Sequence, residues 1–185
     1  MLSGKSLKGS LLLDQGKLRG SFFNRTVILI CQHDSEGAFG LVLNRNTGNT
    51  VGDVLVANVA EWIKSQSLFL GGPVQPQELS YLISNSFLPE GEVISNLSLG
   101  HSLDGLLELS ESYPVDQQMR IFAGYAGWSP GQLDDELNRD TWLVHPATLE
   151  LVFHAEPDRL WGSILRSKGG KYRLVADSPE DLSWN

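Results

Sequence analysis

Short runs of aliphatic and β-branched residues, separated by turns rich in glycine and proline, dominate the first half of the chain. Residues 27–31 (Val-Ile-Leu-Ile-Cys) form an unbroken apolar run, which predicts a central strand covered on both faces. Residues 34–37 (Asp-Ser-Glu-Gly) have turn chemistry, and residues 39–43 return as a second apolar run. The two runs and the turn between them predict a β-hairpin.

The same pattern predicts strands at further short apolar segments, bounded by turn residues. These segments are residues 68–70, 79–84, 93–99, 119–125 and 141–144, with an edge strand at residues 172–176.

Helical periodicity and capping residues alternate with the strands. Helices are predicted at residues 50–59, 102–112, 129–139 and 156–167. The third is the best specified, because Ser129 and Gln132 form a capping box and Pro130 occupies the first helical position. Hairpins imply antiparallel pairs, and strand–helix–strand stretches imply some parallel ones. The predicted fold class is therefore α/β of the α+β type: a mixed, largely antiparallel sheet with helices packed against it.

Length and composition place this sheet in one domain. The chain has 185 residues, 41% of them hydrophobic, and it shows neither an internal repeat nor a long linker. We therefore expect a single domain over residues 1–185. Its one cysteine, Cys31, is typical of a reducing compartment, and no apolar run is long enough for a secretory signal or a membrane span. These features predict a cytoplasmic protein without a membrane partner.

Charge is unevenly distributed. The formal net charge is −8. Residues 26–119 carry two basic residues against eleven acidic ones, a net of −9, whereas residues 1–25 carry five basic residues against one acidic one, a net of +4. An acidic body repels phosphate backbones, so direct nucleic-acid binding is disfavoured.

The sequence predicts neither a metal site nor a reactive thiol. The four histidines, His33, His101, His145 and His154, are scattered without metal-ligand spacing, so neither a metal nor another cofactor is predicted. Cys31 lies within an apolar strand, where a cysteine behaves as a small hydrophobic residue rather than as a nucleophile.

Residues 127–131 (Gly-Trp-Ser-Pro-Gly) match the G-x-S-x-G pattern of a nucleophile elbow between a strand and a helix. In such an elbow the residue after the serine donates its backbone N–H to the oxyanion, but here that residue is Pro130, which has no N–H. Ser129 also has a role in the capping box. No catalytic residue is therefore assigned, and the glycines are interpreted as a tight strand-to-helix junction.

Two hypotheses about function remain. The favoured one is a non-enzymatic binding or regulatory module for an unknown protein or small molecule, with a surface formed by Asn44, Arg45, Tyr125, Trp128 and Gln132. It predicts that Trp128 is at least partly exposed. The alternative is a small-ligand-binding protein or an enzyme that uses a cleft beside the loop of residues 124–131, with a titratable residue in that cleft.

The chain resembles the AlgH/YqgE family of bacterial proteins in several segments that follow the family's order. The segments are residues 9–13, 23–31, 33–45, 71–74 and 124–133, followed by Glu136 and Trp142-Leu143. The resemblance implies one α/β domain in the bacterial cytoplasm, no established reaction, and a transcriptional-regulator label that came from one member's phenotype. Asn46 departs from the family pattern, which usually has proline there.

Overall fold

The computed structural model describes residues 5–84, 91–111 and 118–179. In this part of the chain ten strands join in one sheet, and their bounds are as follows: β1 (Ser10–Asp14), β2 (Val27–Asp34), β3 (Gly37–Val42), β4 (Asn46–Thr50), β5 (Ser67–Leu70), β6 (Val74–Ser84), β7 (Glu92–Ile94), β8 (Leu97–Gly100), β9 (Met119–Trp128) and β10 (Trp142–Pro146). The order across the sheet is β10-β1-β2-β3-β9-β6-β8-β7, with β5 between β4 and β9. The β5–β9 pair is parallel and the other pairs are antiparallel. The predicted fold class is confirmed.

The helices pack on this sheet. They are α1 (Val51–Val54), α2 (Glu61–Lys64), α3 (Leu103–Glu111), α4 (Gln132–Asn138), α5 (Pro157–Lys168) and α6 (Gly170–Asp177), and one π-helical turn (Glu150–His154) precedes α5. No helix among the described residues combines the length and the apolarity that crossing a bilayer requires.

The β2–β3 hairpin is confirmed, and its turn shows why it forms there. Asp34 pairs with Gly37 across the turn, and the Asp34 carboxylate accepts the backbone N–H of Glu36 at 2.8 Å. Gly37 has a φ of 131° and its Cα faces the Trp128 carbonyl so closely that a Cβ would lie 2.2 Å from the oxygen. The hairpin therefore requires glycine at this position.

The sheet curls, so that its first and last strands share one core. A cluster of buried residues joins Leu11 on β1 and Leu29 on β2 with Val93 on β7 and Leu97 on β8. At one end of this concave face α5 covers the cluster, and the Trp161 indole N–H donates to the Asp14 carbonyl at 2.9 Å. The opposite end, where β2 runs out toward Asp34, has no such helix over it in the described residues.

Several predicted elements differ from the observed ones. The helix predicted at residues 50–59 is only α1, the strand at 93–99 is two strands with a turn at Asn96 (φ 63°), and the helix at 129–139 begins at Gln132. The predicted strand at 93–99 is divided because Asn96, within an otherwise apolar run, adopts a turn conformation. The strand predicted at residues 172–176 is wrong, because this segment lies in α6. Tyr172, Val175 and Ala176 all pack on the core, and residues three and four positions after Tyr172 lie on its face of a helix.

Candidate functional site

The Glu136 carboxylate, just after the family-specific segment at residues 124–133, accepts hydrogen bonds from two tryptophans. One oxygen of Glu136 accepts both the Trp128 indole N–H at 2.9 Å and the Trp142 indole N–H at 2.7 Å. Its other oxygen accepts from the Gln132 amide at 2.9 Å. We call these four residues the tryptophan clamp. Its hydrogen bonds join β9, α4 and β10, so the clamp connects three elements that are adjacent in sequence.

The expectation that Trp128 is exposed is wrong. Its side chain is 7% exposed and packs against Trp142 with a centroid separation of 6.3 Å. Gln132 is exposed, but its side-chain oxygen accepts the Ser129 backbone N–H at 3.0 Å. This bond is half of the predicted capping box. The other half is absent because the helix N-cap is Gly131, in the left-handed conformation (φ 76°), and not Ser129.

Asn44 and Arg45 lie elsewhere. Asn44 is 7% exposed, accepts the Val27 N–H at 2.8 Å and donates to the Arg25 carbonyl at 2.9 Å. Arg45 donates to the Asn24 carbonyl. Both border a cleft of about 660 Å³ beside α5, where Arg159 pairs with Glu156 and Arg166 with Asp177. The guanidinium groups there already have acceptors, and the five residues proposed from the sequence do not form one surface.

The glycines at residues 71, 72 and 124 allow two backbones to touch. A Cβ at Gly72 would lie 2.0 Å from the Tyr125 carbonyl carbon, and one at Gly71 would lie 2.4 Å from the Gly124 oxygen. Gly124 itself has a φ of 67°. Close packing, rather than ligand binding, explains this junction, as the sequence interpretation of the loop favoured.

A larger cleft, of about 960 Å³, opens at the uncovered end of the concave face. We call it the His101 cleft. Its lining comes from the end of β2, from β6, β7 and β8, and from the first turn of α3. It includes Lys8, Cys31, His33, Asp34, Tyr81, Glu92, Leu99 and His101. The sequence analysis missed it. A signal was present: His33 and His101 extend inward-facing rows of β2 and β8 that begin with core residues, so polar groups follow apolar ones toward this end.

His101 is the best-positioned titratable group of the cleft. Its Nδ1 lies 3.0 Å from the Ser80 hydroxyl, and its ring edge contacts Phe39 with a centroid separation of 5.3 Å. Phe39 in turn packs on Tyr125 at 4.8 Å. Burial lowers the pKa of His101 below its ordinary value, partly offset by Glu78. His101 is therefore uncharged at neutral pH, with Nε2 available as a donor or an acceptor according to the tautomer.

The second histidine has a defined tautomer. His33 Nδ1 accepts the Leu7 backbone N–H at 3.1 Å, so Nε2 carries the proton, 3.9 Å from an Asp134 carboxylate oxygen. Tyr125, the one sequence-predicted residue near this cleft, reaches it only through Phe39.

Covalent chemistry is poorly supported in this cleft. Burial raises the pKa of the Cys31 thiol, which is 4% exposed, so the reactive thiolate is strongly disfavoured. The hydroxyl beside His101 belongs to Ser80, which is 5% exposed and does not line the cleft. Among the described residues no three His, Cys, Asp or Glu side chains converge as metal ligands would.

Comparisons with known proteins match the chain over almost its whole length. The chain is 37% identical over 182 residues to a UPF0301 protein of Chlamydia caviae, covering 96% of this chain and 95% of the relative. A UPF0301 protein of Cytophaga hutchinsonii is 33% identical, with 96% and 98% covered. Neither name states a reaction, a substrate or a partner.

Two solved structures share the fold. The AlgH protein of Pseudomonas aeruginosa matches with a TM-score of 0.74 and 27% identity, covering 96% of each chain. A protein of Corynebacterium diphtheriae matches with a TM-score of 0.75 and 25% identity, covering 96% of this chain and 95% of the other. The AlgH-like family model matches residues 11–173. The chain belongs to the AlgH-like family.

Proposed function

We propose that this protein is a non-enzymatic module that binds a small molecule in the His101 cleft. The observation that supports this role best is the position of the cleft. It opens at the uncovered end of a curled sheet, and apolar, aromatic and polar side chains from four strands converge there. The mouths of curled and closed sheets are frequent ligand sites, and such pockets measure roughly 300–1,000 Å³.

The lining favours an uncharged or cationic ligand with a ring. Lys8 faces two carboxylates, Asp34 and Glu92, so with neutral histidines the lining has a net charge of one minus two, or −1. A polyanion would meet repulsion there. The His101 ring offers a flat surface, and His101 Nε2 offers one directional hydrogen bond.

Binding without catalysis fits the groups that are present. Neither Cys31 nor Ser80 is an accessible, activated nucleophile. An enzyme that uses this cleft is the alternative, and it would rely on His101 as a general base. The single buried cysteine also suits the reducing bacterial cytoplasm, where we place this binding role.

A charge-sorted fragment library tests the proposal by NMR on the isotope-labelled protein. We expect ring-containing neutral or cationic fragments to shift the resonances of Leu99 and His101, and anionic analogues to shift them less. The His101→Ala variant should weaken this binding about tenfold, the value of one well-placed hydrogen bond. His154→Ala is the matched control, because His154 is an exposed histidine like His101 but bonds to Gln118 away from the cleft.

Two results would overturn the proposal. One is an absence of fragment shifts at the cleft across the whole library. The other is equal loss of binding in His101→Ala and His154→Ala. Turnover of a bound fragment that His101→Ala abolishes would replace the binding role with the enzymatic alternative.

A further inference from the structure

A second, smaller concavity lies on the other side of His101. Four leucines from three segments line it: Leu55 after α1, Leu79 on β6, and Leu103 and Leu106 on α3. Its volume is about 200 Å³, below the range of pockets that enclose a whole small molecule. We call it the leucine groove. Its size suits a side chain of a partner better than a free metabolite.

Exposed apolar residues lie in the groove wall or next to it along the chain. Leu103 is 46% exposed although it lines the groove, and the chain neighbours of Leu55, Val54 and Val56, are 48% and 103% exposed. Single exposed aliphatic residues are normal on protein surfaces, whereas a half-exposed leucine that lines an apolar concavity, as Leu103 does, is typical of an interaction site.

Acidic residues neighbour the groove, either along the chain or through their electrostatic influence on its wall. Asp53 and Asp104 directly adjoin Val54 and Leu103 in the chain. Burial and, to a smaller extent, the charge of Glu108 raise the pKa of Tyr81, and the charge of Glu78 partly offsets the lowering of the His101 pKa by burial. Both carboxylates therefore lie close enough to act electrostatically on residues that line the groove. No lysine or arginine within the described ranges lines the groove.

We propose that the leucine groove docks a segment of another protein in which an aliphatic anchor is flanked by lysine or arginine. The aliphatic anchor matches the four leucines, and the basic flanks match the neighbouring carboxylates. Complementary charges of this kind steer encounter and set the register of the anchor. Docking here does not require a ligand in the His101 cleft.

Selection from a random peptide library displayed on phage tests this inference with the full chain as bait. We expect the enriched peptides to combine an aliphatic residue with neighbouring lysine or arginine. A fluorescein-labelled copy of the most enriched peptide should bind with an affinity that falls as salt is raised.

The variant Leu103→Asp should weaken binding of that peptide at least about tenfold, because it places a charge at the apolar contact. The matched control is Leu174→Asp on α6, since Leu174 is also a solvent-exposed leucine (75%) and does not line the groove. The charge reversal Asp104→Lys should weaken binding less than Leu103→Asp and reduce the salt dependence. Circular dichroism checks that each variant is folded.

The inference is overturned if no peptide is enriched, if acidic peptides are enriched, or if Leu103→Asp binds the selected peptide as tightly as Leu174→Asp does.

Discussion

The tryptophan clamp and the His101 cleft differ in how their polar groups are used. In the clamp, both oxygens of Glu136 and the indole N–H groups of Trp128 and Trp142 have partners within the chain. In the cleft, His101 uses one ring nitrogen for Ser80, and its other nitrogen has no hydrogen bond within the described chain. The segment with the strongest sequence signature therefore stabilises the fold, whereas the cleft, whose sequence signal is weaker, leaves a polar group of His101 without a partner in the described chain.

This difference also separates two kinds of distinctive residue. Glycine is needed at fixed positions where two backbones touch. A carboxylate is needed at a fixed position where buried tryptophan N–H groups require an acceptor. A ligand cleft needs only that its side chains converge, and they can come from distant parts of the chain.

The largest expected effect concerns the glycine junction beneath the clamp. Gly72→Ala should lower the free energy of unfolding by about 3 kcal/mol, because the new methyl group meets backbone atoms of residues 125 and 126 that cannot rotate away. Urea denaturation measures this. Gly127→Ala on β9 is the control, since its Cβ meets only the Tyr125 side chain, at 3.2 Å. Equal losses in both variants would show that this junction is not tightly packed.

The next effect concerns the clamp itself. Glu136→Ala should cost about 2 kcal/mol, because two indole N–H groups lose their acceptor. Urea denaturation with tryptophan fluorescence detects both the loss and the changed environment of the indoles. Glu136→Gln keeps one acceptor oxygen and should lose less. The exposed neighbour Asp135 provides a control, and Asp135→Ala should stay within about 0.5 kcal/mol of wild type. A loss in Glu136→Ala no larger than this would contradict a stabilising role.

The smallest effect is a dependence of the free energy of unfolding on pH, which arises from His101 in the cleft and from His145 on β10. Burial lowers the pKa of His101, and burial together with Lys168 lowers that of His145. Between the folded value and the unfolded value of about 6.5, the unfolded chain binds more protons. The contribution to stability is therefore complete above about pH 6.5 and is lost as the pH falls through the folded values.

Urea denaturation at a series of pH values should show a free energy of unfolding that decreases on acidification, and a smaller slope in His101→Ala and in His145→Ala. Proton NMR of the His101 ring should show a titration midpoint below 6.5. A midpoint above that value would show that His101 is not desolvated at the cleft.

Local patterns gave the main strands and most of the helix positions. The run at residues 27–31 became part of β2, the turn at Asp34 formed as predicted, and Ser102 accepts the Gly105 N–H at 3.1 Å at the start of α3. These features depend on contacts within a few residues, which sequence spacing records. The strand predicted at residues 172–176 was wrong because a short stretch with one β-branched residue suits a strand or a helix equally. Packing against α5 stabilises the helix.

The sequence by itself determined the family signature, the mixed sheet and the structural interpretation of residues 127–131, because Pro130 removes an N–H whatever the fold. Only the tertiary structure decided that Trp128 is buried, that Asn44 and Arg45 lie apart from it, and that His33 and His101 meet at one cleft. The physical reason is the curl of the sheet. It brings β2 and β8, which are separated by more than fifty residues, to the same open end, and no local pattern specifies that approach.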